Sequence, residues 1–283
     1  MKLIHGRFFM SFLYVNESKC KKDGACAMAC PMGLLQVEPG QSIPKAIPGA
    51  ETLCLQCGHC LCACPHAALS LTTLKMEDCV PLKKELHVGL EQAAQLLKSR
   101  RSIRRYKSEP LERCDIEALL ETARYAPTGK NTQPLSWLVV YDAALVHTLA
   151  AHVADWMKDM LRQQHPMAAW LQMDTLVKTW DAGADLLLRH APHLIVAHAP
   201  KANPMAPQSA TIALTTFEIA AAAAGLGACW AGFFQLAAGM WEPLQKALNL
   251  PEGHISHGAL MLGRPAVKYY RIPTRKQPDV IWR

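Results

Sequence analysis

Five cysteines fall between Cys54 and Cys64, in the stretch CLQCGHCLCACP that ends at Pro65. Four of them, Cys54, Cys57, Cys60 and Cys64, have the spacing C-x2-C-x2-C-x3-C-P. Three thiolates two residues apart can wrap a tight loop around one cuboidal cluster, and thiolate suits iron. The fourth falls on the next turn and points away, toward a second cluster. Zinc is the competing ion, but its structural sites use two separated ligand pairs rather than one run of four closed by proline. An earlier stretch, CKKDGACAMACP, repeats the phrase. Cys20, Cys26 and Cys30 take its first, third and fourth places, and Asp23 stands in the second. A carboxylate can hold iron there, as a harder and weaker ligand than thiolate. Cys62 is surplus and reads as a small buried side chain.

The two phrases resemble the two-cluster bacterial ferredoxins over about residues 10–75. In that family the fourth cysteine of each phrase serves the other cluster. The resemblance implies one [4Fe-4S] cluster on Cys54, Cys57, Cys60 and Cys30, and another on Cys20, Cys26, Cys64 and Asp23. The Asp23 corner is then Asp-ligated, open to water, or missing as a [3Fe-4S] cluster. MSFLYVNESKC, from Met10, reads as the opening strand. Residues 1–9 are either an extension or precede a true start at Met10. His59 either tunes a cluster through a hydrogen bond to sulfur or sits exposed on its loop. Such a domain carries electrons and needs something to feed.

The elements that follow are larger. Residues 65–84 read as a transition, with Pro65 and Pro81 as breakers. Leu86, Leu90, Ala94 and Leu97 then form a helical stripe. Asp115 reads as the cap of a second helix with Ile116, Leu119, Leu120 and Ala123 buried and Pro127 as its stop. SWLVVYD reads as a strand, about 143–163 as a helix, and HLIVAHA as a buried strand. TIALTTFEIAAAAAGLG reads as a helix apolar nearly all round, and ACWAGFF and GALMLG as two more strands. This is an α+β or α/β pattern.

Three phrases in this second part could bind a cofactor. In RRSIRRY, arginine forks and a serine hydroxyl suit phosphate oxygens. In APTGKNTQP, the amides of Asn131 and Gln133 can read the polar edge of a ring. In GLGACWAGF, small residues let backbone N–H groups approach a flat molecule. Taken singly, these are a helix end, a turn and a close packing. In this order and spacing they resemble the nitroreductase family of flavin enzymes, over about residues 85–283.

That resemblance implies FMN. Arg100, Ser102 and Arg104, with Arg101 close by, would hold its phosphate and ribityl oxygens, and Asn131 and Gln133 the isoalloxazine edge. The backbone of Trp230, Ala231 and Gly232 would face N5. A cation from the tail YYRIPTRKQPDVIWR, Arg275 or in reserve Arg271, would return to the phosphate. It also implies a symmetric homodimer with the flavin at its interface. The expected fold is α+β, with a ferredoxin-like iron–sulfur domain over residues 1–80 and a nitroreductase-like FMN domain over 85–283. The expected activity is a cytoplasmic reductase. Clusters pass single electrons to FMN, which reduces an electron-poor acceptor, nitroaromatic or quinone-like, by two electrons. The electron donor is an external ferredoxin or NAD(P)H; no Gly-rich dinucleotide fingerprint follows a strand. Tyr106, Tyr125 and several histidines are candidate proton donors. A substrate lid is expected over about 157–189, bordered by Trp156 and carrying Trp170 and Trp180, which read as core or dimer packing. Reductive dehalogenation and flavin fragmentation are other chemistries of the same superfamily. The rival classes are a redox sensor or carrier without turnover, and a zinc-stapled flavoprotein.

Bulk properties agree with this reading. The chain has 283 residues, 51% of them hydrophobic and 19% charged, which suits globular domains. Eight of its eleven cysteines lie between Cys20 and Cys64, a distribution that suits metal binding better than a disulfide scaffold. No apolar run reaches the ~18 residues of a membrane span. The net charge of +7 is concentrated in KSRRSIRRYK, where a phosphate gives it a specific task. No nucleic-acid or membrane partner is expected.

Overall fold

The computed structural model describes residues 12–38 and 40–283. The first residues of the expected opening strand, and the choice between Met1 and Met10 as the start, lie outside the described residues. The chain divides into two compact units, one ending at His87 and the other beginning at Val88.

The first unit is built of very short elements. Strand β1 (Leu13–Val15) pairs antiparallel with β4 (Leu69–Leu71), and β2 (Leu35–Gln36) pairs with β3 (Lys45–Ala46). Three single-turn helices, α1 (Ala25–Ala29), α2 (Ala50–Leu53) and α3 (His59–Cys62), complete it. None is long enough to be stable alone. The buried core is Leu13, Cys26, Leu35, Leu61, Ala68, Leu69 and Leu71, and Cys20, Cys54, Cys60 and Cys64 pack against it. A core this small rarely supplies more than about 3–5 kcal/mol, and natural domains of this size add a metal or disulfides.

The repeat read in the sequence is also a repeat of backbone shape. Lys22, Gly24 and Gly33 have φ of 59°, 76° and 63°; their counterparts Gln56, Gly58 and Ala67 have 51°, 75° and 48°. Each phrase uses the left-handed region at the same three points. Glycine accepts it without strain at Gly24 and Gly58, each of which precedes a helix.

The second unit is a four-stranded antiparallel sheet in the order β5-β6-β8-β7, with helices on both faces. Its strands are β5 (Ser136–Val140), β6 (His193–Pro200), β7 (Gly227–Trp230) and β8 (His254–Gly263). Ahead of them come α4 (Leu90–Ser99) and α5 (Arg113–Ala123). Between β5 and β6 lie α6 (Ala143–Arg162), α7 (Pro166–Trp170) and α8 (Met173–Asp181). Helix α9 (Ala206–Ala223) precedes β7; α10 (Gly232–Met240) and α11 (Glu242–Leu248) follow it. One face of the sheet packs on α5 and α9 through Ile116, Leu119, Leu214 and Phe217. The other packs on α6 and α10 through Leu149, Val153, Trp156 and Phe234. Strand β6, covered on both faces, is correspondingly buried along nearly its whole length, with an apolar run from Leu194 to Ala197. Among the described residues no helix is long and apolar enough to cross a membrane.

Four expectations need correction. Helix α5 starts at Arg113 with Glu112 as its extended cap, so Asp115 lies inside the first turn, where its charge suits the helix N-terminus. Leu86 belongs to a separate 3-10 turn, and α4 buries none of its residues: Leu90 is 87% exposed and Leu97 52%. ACWAGFF is not one strand. β7 ends at Trp230, and α10 begins at Gly232 and buries Phe234. Cys62 is exposed rather than buried. On a helix period, the position between two inward-facing residues, here Cys60 and Cys64, turns outward.

Candidate functional site

In the first unit the structure brings five of the thiols and Asp23 into two groups. Cys60 is pushed up to about 11, by burial first and then by the neighbouring Cys30 and Cys54. Cys26 is raised by burial first, and also by Cys64 and Asp23. Each group thus draws a member from the other phrase, as the crossed ligation pattern requires. Crowded thiols that oppose one another's ionisation are relieved by a multiply charged iron core, which binds them as thiolates. Backbone N–H groups already point at the sulfurs: Leu34 donates to Cys30 Sγ at 3.3 Å, Ala68 to Cys64 Sγ at 3.4 Å and Gln56 to Cys54 Sγ at 3.4 Å. Hydrogen bonds of this kind tune a cluster's potential. The residues present therefore fit iron–sulfur clusters. Asp23 Oδ1 accepts the Ala25 N–H at 3.0 Å, and Oδ2 lies 3.4 Å from His66 Nε2. His66, absent from the sequence-based set, immediately follows the proline of the second phrase. His59 is exposed. The exposed Cys62 lies against Cys79, whose thiol is raised by burial first and then by Cys62.

In the second unit, RRSIRRY lies along the sheet edge. The Ile103 N–H bonds the Ala228 carbonyl of β7 at 3.0 Å. Arg105 O accepts the Ala266 N–H, and the Lys107 N–H reaches Arg264 O, both at 2.9 Å. Gly227 makes this approach possible, because a Cβ there would lie 2.8 Å from Ile103 side-chain atoms. Arg100 does not stand free. Its Nη1 bonds Oε1 of Glu218 at 2.9 Å, and Glu218 also accepts a hydrogen bond from the Trp230 side chain. Burial, the largest cause, holds Glu218 above the usual carboxylate range in spite of Arg100. Arg104, Arg105 and Arg189 lie close enough to repel one another. Burial, then Arg104, lowers Arg189 from the usual guanidinium range. Among the described residues no salt bridge neutralises Arg101, Arg104, Arg105 or Arg189. Such a set suits a dianion. Ser102 bonds Cys229 and leaves its hydroxyl near the same cations.

The remaining predicted residues are only partly brought together. Asn131 and Gln133 meet, with Gln133 Nε2 donating to Asn131 Oδ1 at 3.3 Å. Their loop is strained: Lys130, Asn131 and Gln133 have φ of 52°, 54° and 43°. At Gly232 a Cβ would meet nothing within 4 Å. The first turn of α10, which the exposed Gly232 begins, has N–H groups without intrahelical acceptors. Unneutralised arginines and this open, N–H-bearing edge together fit a flat cofactor with a phosphate. A cavity of about 670 Å³ is lined by Arg100, Arg101, Lys107, Lys268 and Tyr269, and a second of about 120 Å³ by Thr128, Gln133 and Trp137. They share no lining residue. Among the described residues, no hydrogen bond or ion pair ties Arg275 or Arg271 to the arginine segment; Arg275 Nη1 bonds Thr274 O. Tyr106 donates to Ile103 O at 2.6 Å, which braces the segment, and burial drives its hydroxyl far above the usual range. Trp156 is buried, Trp180 half-buried and Trp170 78% exposed.

Sequence reasoning missed Glu218, Arg189 and His66. Glu218 had a signal, as the one charged residue of α9. Arg189 had none, because a tight turn places it.

Residues 97–264 match the family model described as the nitroreductase family, and residues 13–36 match the 4Fe-4S binding domain. A protein of Archaeoglobus fulgidus, named as an NADH dehydrogenase/NAD(P)H nitroreductase, is 26% identical over 200 residues, 69% of this chain and 98% of its own. The iodotyrosine deiodinase of Thermotoga neapolitana is 30% identical over 137 residues, 47% of this chain and 69% of its own. Among solved structures, a nitroreductase with bound FMN from Bacteroides fragilis shares the fold with a TM-score of 0.53. It is 19% identical, and the match covers 67% of this chain and 98% of that one.

Proposed function

The chain belongs to the nitroreductase family, and from that premise we propose that it is a cytoplasmic FMN-dependent reductase fed by two iron–sulfur clusters in its first unit. When bound, the clusters supply electrons singly, and FMN stores two and passes them as hydride to a flat, electron-poor organic acceptor. Arg101, Ser102 and Arg104 hold the phosphate and ribityl oxygens, joined by Arg189. Arg100 lies beside them, held by Glu218. By taking both Arg100 and the Trp230 indole, Glu218 fixes the arginine segment to the strand whose end, Trp230 to Gly232, borders the flavin. Asn131 and Gln133 bond the polar ring edge. Cys54, Cys57, Cys60 and Cys30 hold one cluster, and Cys20, Cys26, Cys64 and Asp23 the other. A symmetric homodimer completes the flavin site. The uncovered stripe of α4 and the exposed tail from Tyr269 to Trp282 are the apolar surfaces that a second copy would bury. Electrons come from NAD(P)H or an external ferredoxin.

The observation that carries the reading is the exchange of thiols between the two phrases, Cys30 beside Cys54 and Cys60, and Cys64 beside Cys26. The test is iron, sulfide and flavin stoichiometry on anaerobically purified protein. About seven to eight iron atoms, about eight sulfides and one FMN per chain are expected. Zinc without sulfide, or no flavin, would overturn it.

A further inference from the structure

Three side chains of the second unit that play no part in the sites above converge between α6 and the loop leading to β6. His147, Asp185 and His190 each offer one ligand atom, and these atoms lie within 4.8 Å of one another. Asp185 is the fixed member, only 5% exposed. Its Oδ1 accepts the N–H groups of Leu187 and Leu188, and its Oδ2 that of His190, all at 2.8 Å. A carboxylate has about four acceptor sites, so one stays open. Arg189 is its nearby counter-charge but lies beyond salt-bridge distance, and buried charges are ordinarily paired or bound to a metal.

The turn closed by Asp185 is strained. Arg189 and His190, neither of them glycine, follow one another at φ of 61° and 49°. Strain of this kind persists where the surroundings over-determine it, and it gathers at ligand clamps. Its effect here is to fold the His190 ring back over the turn, where Nε2 accepts a long bond of 3.3 Å from the Asp185 N–H. An ion bound at Nε2 would take that nitrogen's one lone pair in place of this long bond. The His147 ring comes from α6 to meet it. Its centroid is 6.1 Å from that of His190 with the planes 20° apart, and Trp180 stacks on it at 5.0 Å. Both imidazoles are exposed and can close on the anchored carboxylate.

We propose that His147, Asp185 and His190 form a site for one divalent first-row transition ion of the zinc class, with a coordination position left to solvent. Two imidazoles and a carboxylate are a donor set for such ions, whereas magnesium and calcium take oxygen ligands. Bonds of about 2.0–2.2 Å to a shared ion require the three ligand atoms to close from their present spacing. The ion would clip α6 to the turn that carries Arg189.

The test uses the anaerobically purified protein with its clusters and flavin. It is equilibrated with zinc chloride and desalted, and zinc, iron, sulfide and FMN are measured on one sample. One zinc per chain is expected in the parent, and at least a tenfold weaker affinity in His147→Ala and in His190→Ala, with iron, sulfide and FMN unchanged. His147→Ala removes an exposed ring, and its melting temperature in EDTA should equal that of the parent; only the parent should gain stability from zinc. A parent that retains no zinc overturns the proposal, and so does His147→Ala retaining as much zinc as the parent.

Discussion

The two units build their sites in opposite ways. In the first, the proposed ligands stand three or four positions apart in two short phrases, and the same three backbone points turn left-handed in each. In the second, Arg100 depends on Glu218, 118 positions away; Ile103 depends on Gly227 and Ala228, and Arg105 on Ala266. A site of the first kind is written as a phrase, and a metal tightens it. A site of the second kind exists only once the sheet, the long helix and the edge segment have packed. The first should therefore respond to ligand changes alone, and the second to any change in the distant packing.

The sharpest break of this contrast is at Glu218. Glu218→Ala leaves Arg100 and the Trp230 indole without their partner. Removing one member of a buried ion pair costs about 3–5 kcal/mol, and the lower end applies because the Arg100 side chain keeps 29% exposure. All seven tryptophans lie between Trp137 and Trp282, so urea unfolding followed by tryptophan fluorescence reads the second unit. A loss of about 3 kcal/mol is expected there, with weakened FMN retention and unchanged iron and sulfide. Glu218→Gln, which keeps the acceptor, should lose less. Unchanged stability in Glu218→Ala would show that the arginine segment stands without α9.

The same contrast governs what could be read in advance. The cysteine phrases were legible because thiol spacing and chemistry coincide. Strand β6 was legible because its apolar run Leu194–Ala197 suits a strand covered on both faces. ACWAGFF was misread because an apolar run looks alike in a strand and in a buried helix, and the break at Gly232 carries no hydrophobic signal. The α4 stripe shows that periodicity reports an apolar face but not whether this chain covers it, as the exposure of Leu90 demonstrates. Glu218 stood out as a lone charge, but nothing local named Arg100 as its partner. Arg189 and His190 owe their positions to the hydrogen bonds of Asp185, which no spacing rule describes.

A smaller, graded effect should come from pH, again confined to the second unit. Burial, the largest cause in each case, lowers His193, His198 and His257 below the ordinary imidazole range. His193 shows why. Its Nε2 accepts the Leu111 N–H at 2.8 Å and its Nδ1 bonds Tyr141 O at 2.8 Å, so a second ring proton would face a donor. The unfolded chain takes up these protons near pH 6.5 and the native chain resists, so this stability is complete above that pH and lost as the pH falls below it. Glu218, raised by burial, runs the other way: its contribution is present at acid pH and fades as the pH rises above about 4.5. With three groups against one, the net expectation is a loss on acidification, about 1.4 kcal/mol per histidine for each pH unit inside its window. Tryptophan-monitored unfolding at about pH 7.5 and about pH 5.5 measures it, and equal stability at the two would count against the buried, neutral histidines.

The smallest expected change is the most local one. In Asp23→Cys, thiolate replaces a harder, weaker oxygen ligand at a position whose neighbours, Lys22 and Gly24, share the left-handed φ of Gln56 and Gly58 around Cys57. The substitution breaks the 3.4 Å contact with His66 and the bond to the Ala25 N–H, both on exposed side chains, so little folding stability is at stake. If the site is written entirely in its phrase, the variant should hold a more complete and more oxygen-stable first cluster. Iron per chain should rise by up to about one atom, toward the full cubane, while sulfide, FMN content and tryptophan-monitored stability stay as they were. Equal cluster content and equal oxygen stability in variant and parent would mean that Asp23 already closes the corner as well as a thiolate does. The contrast between the units would then rest on spacing alone, without the ligand's chemistry.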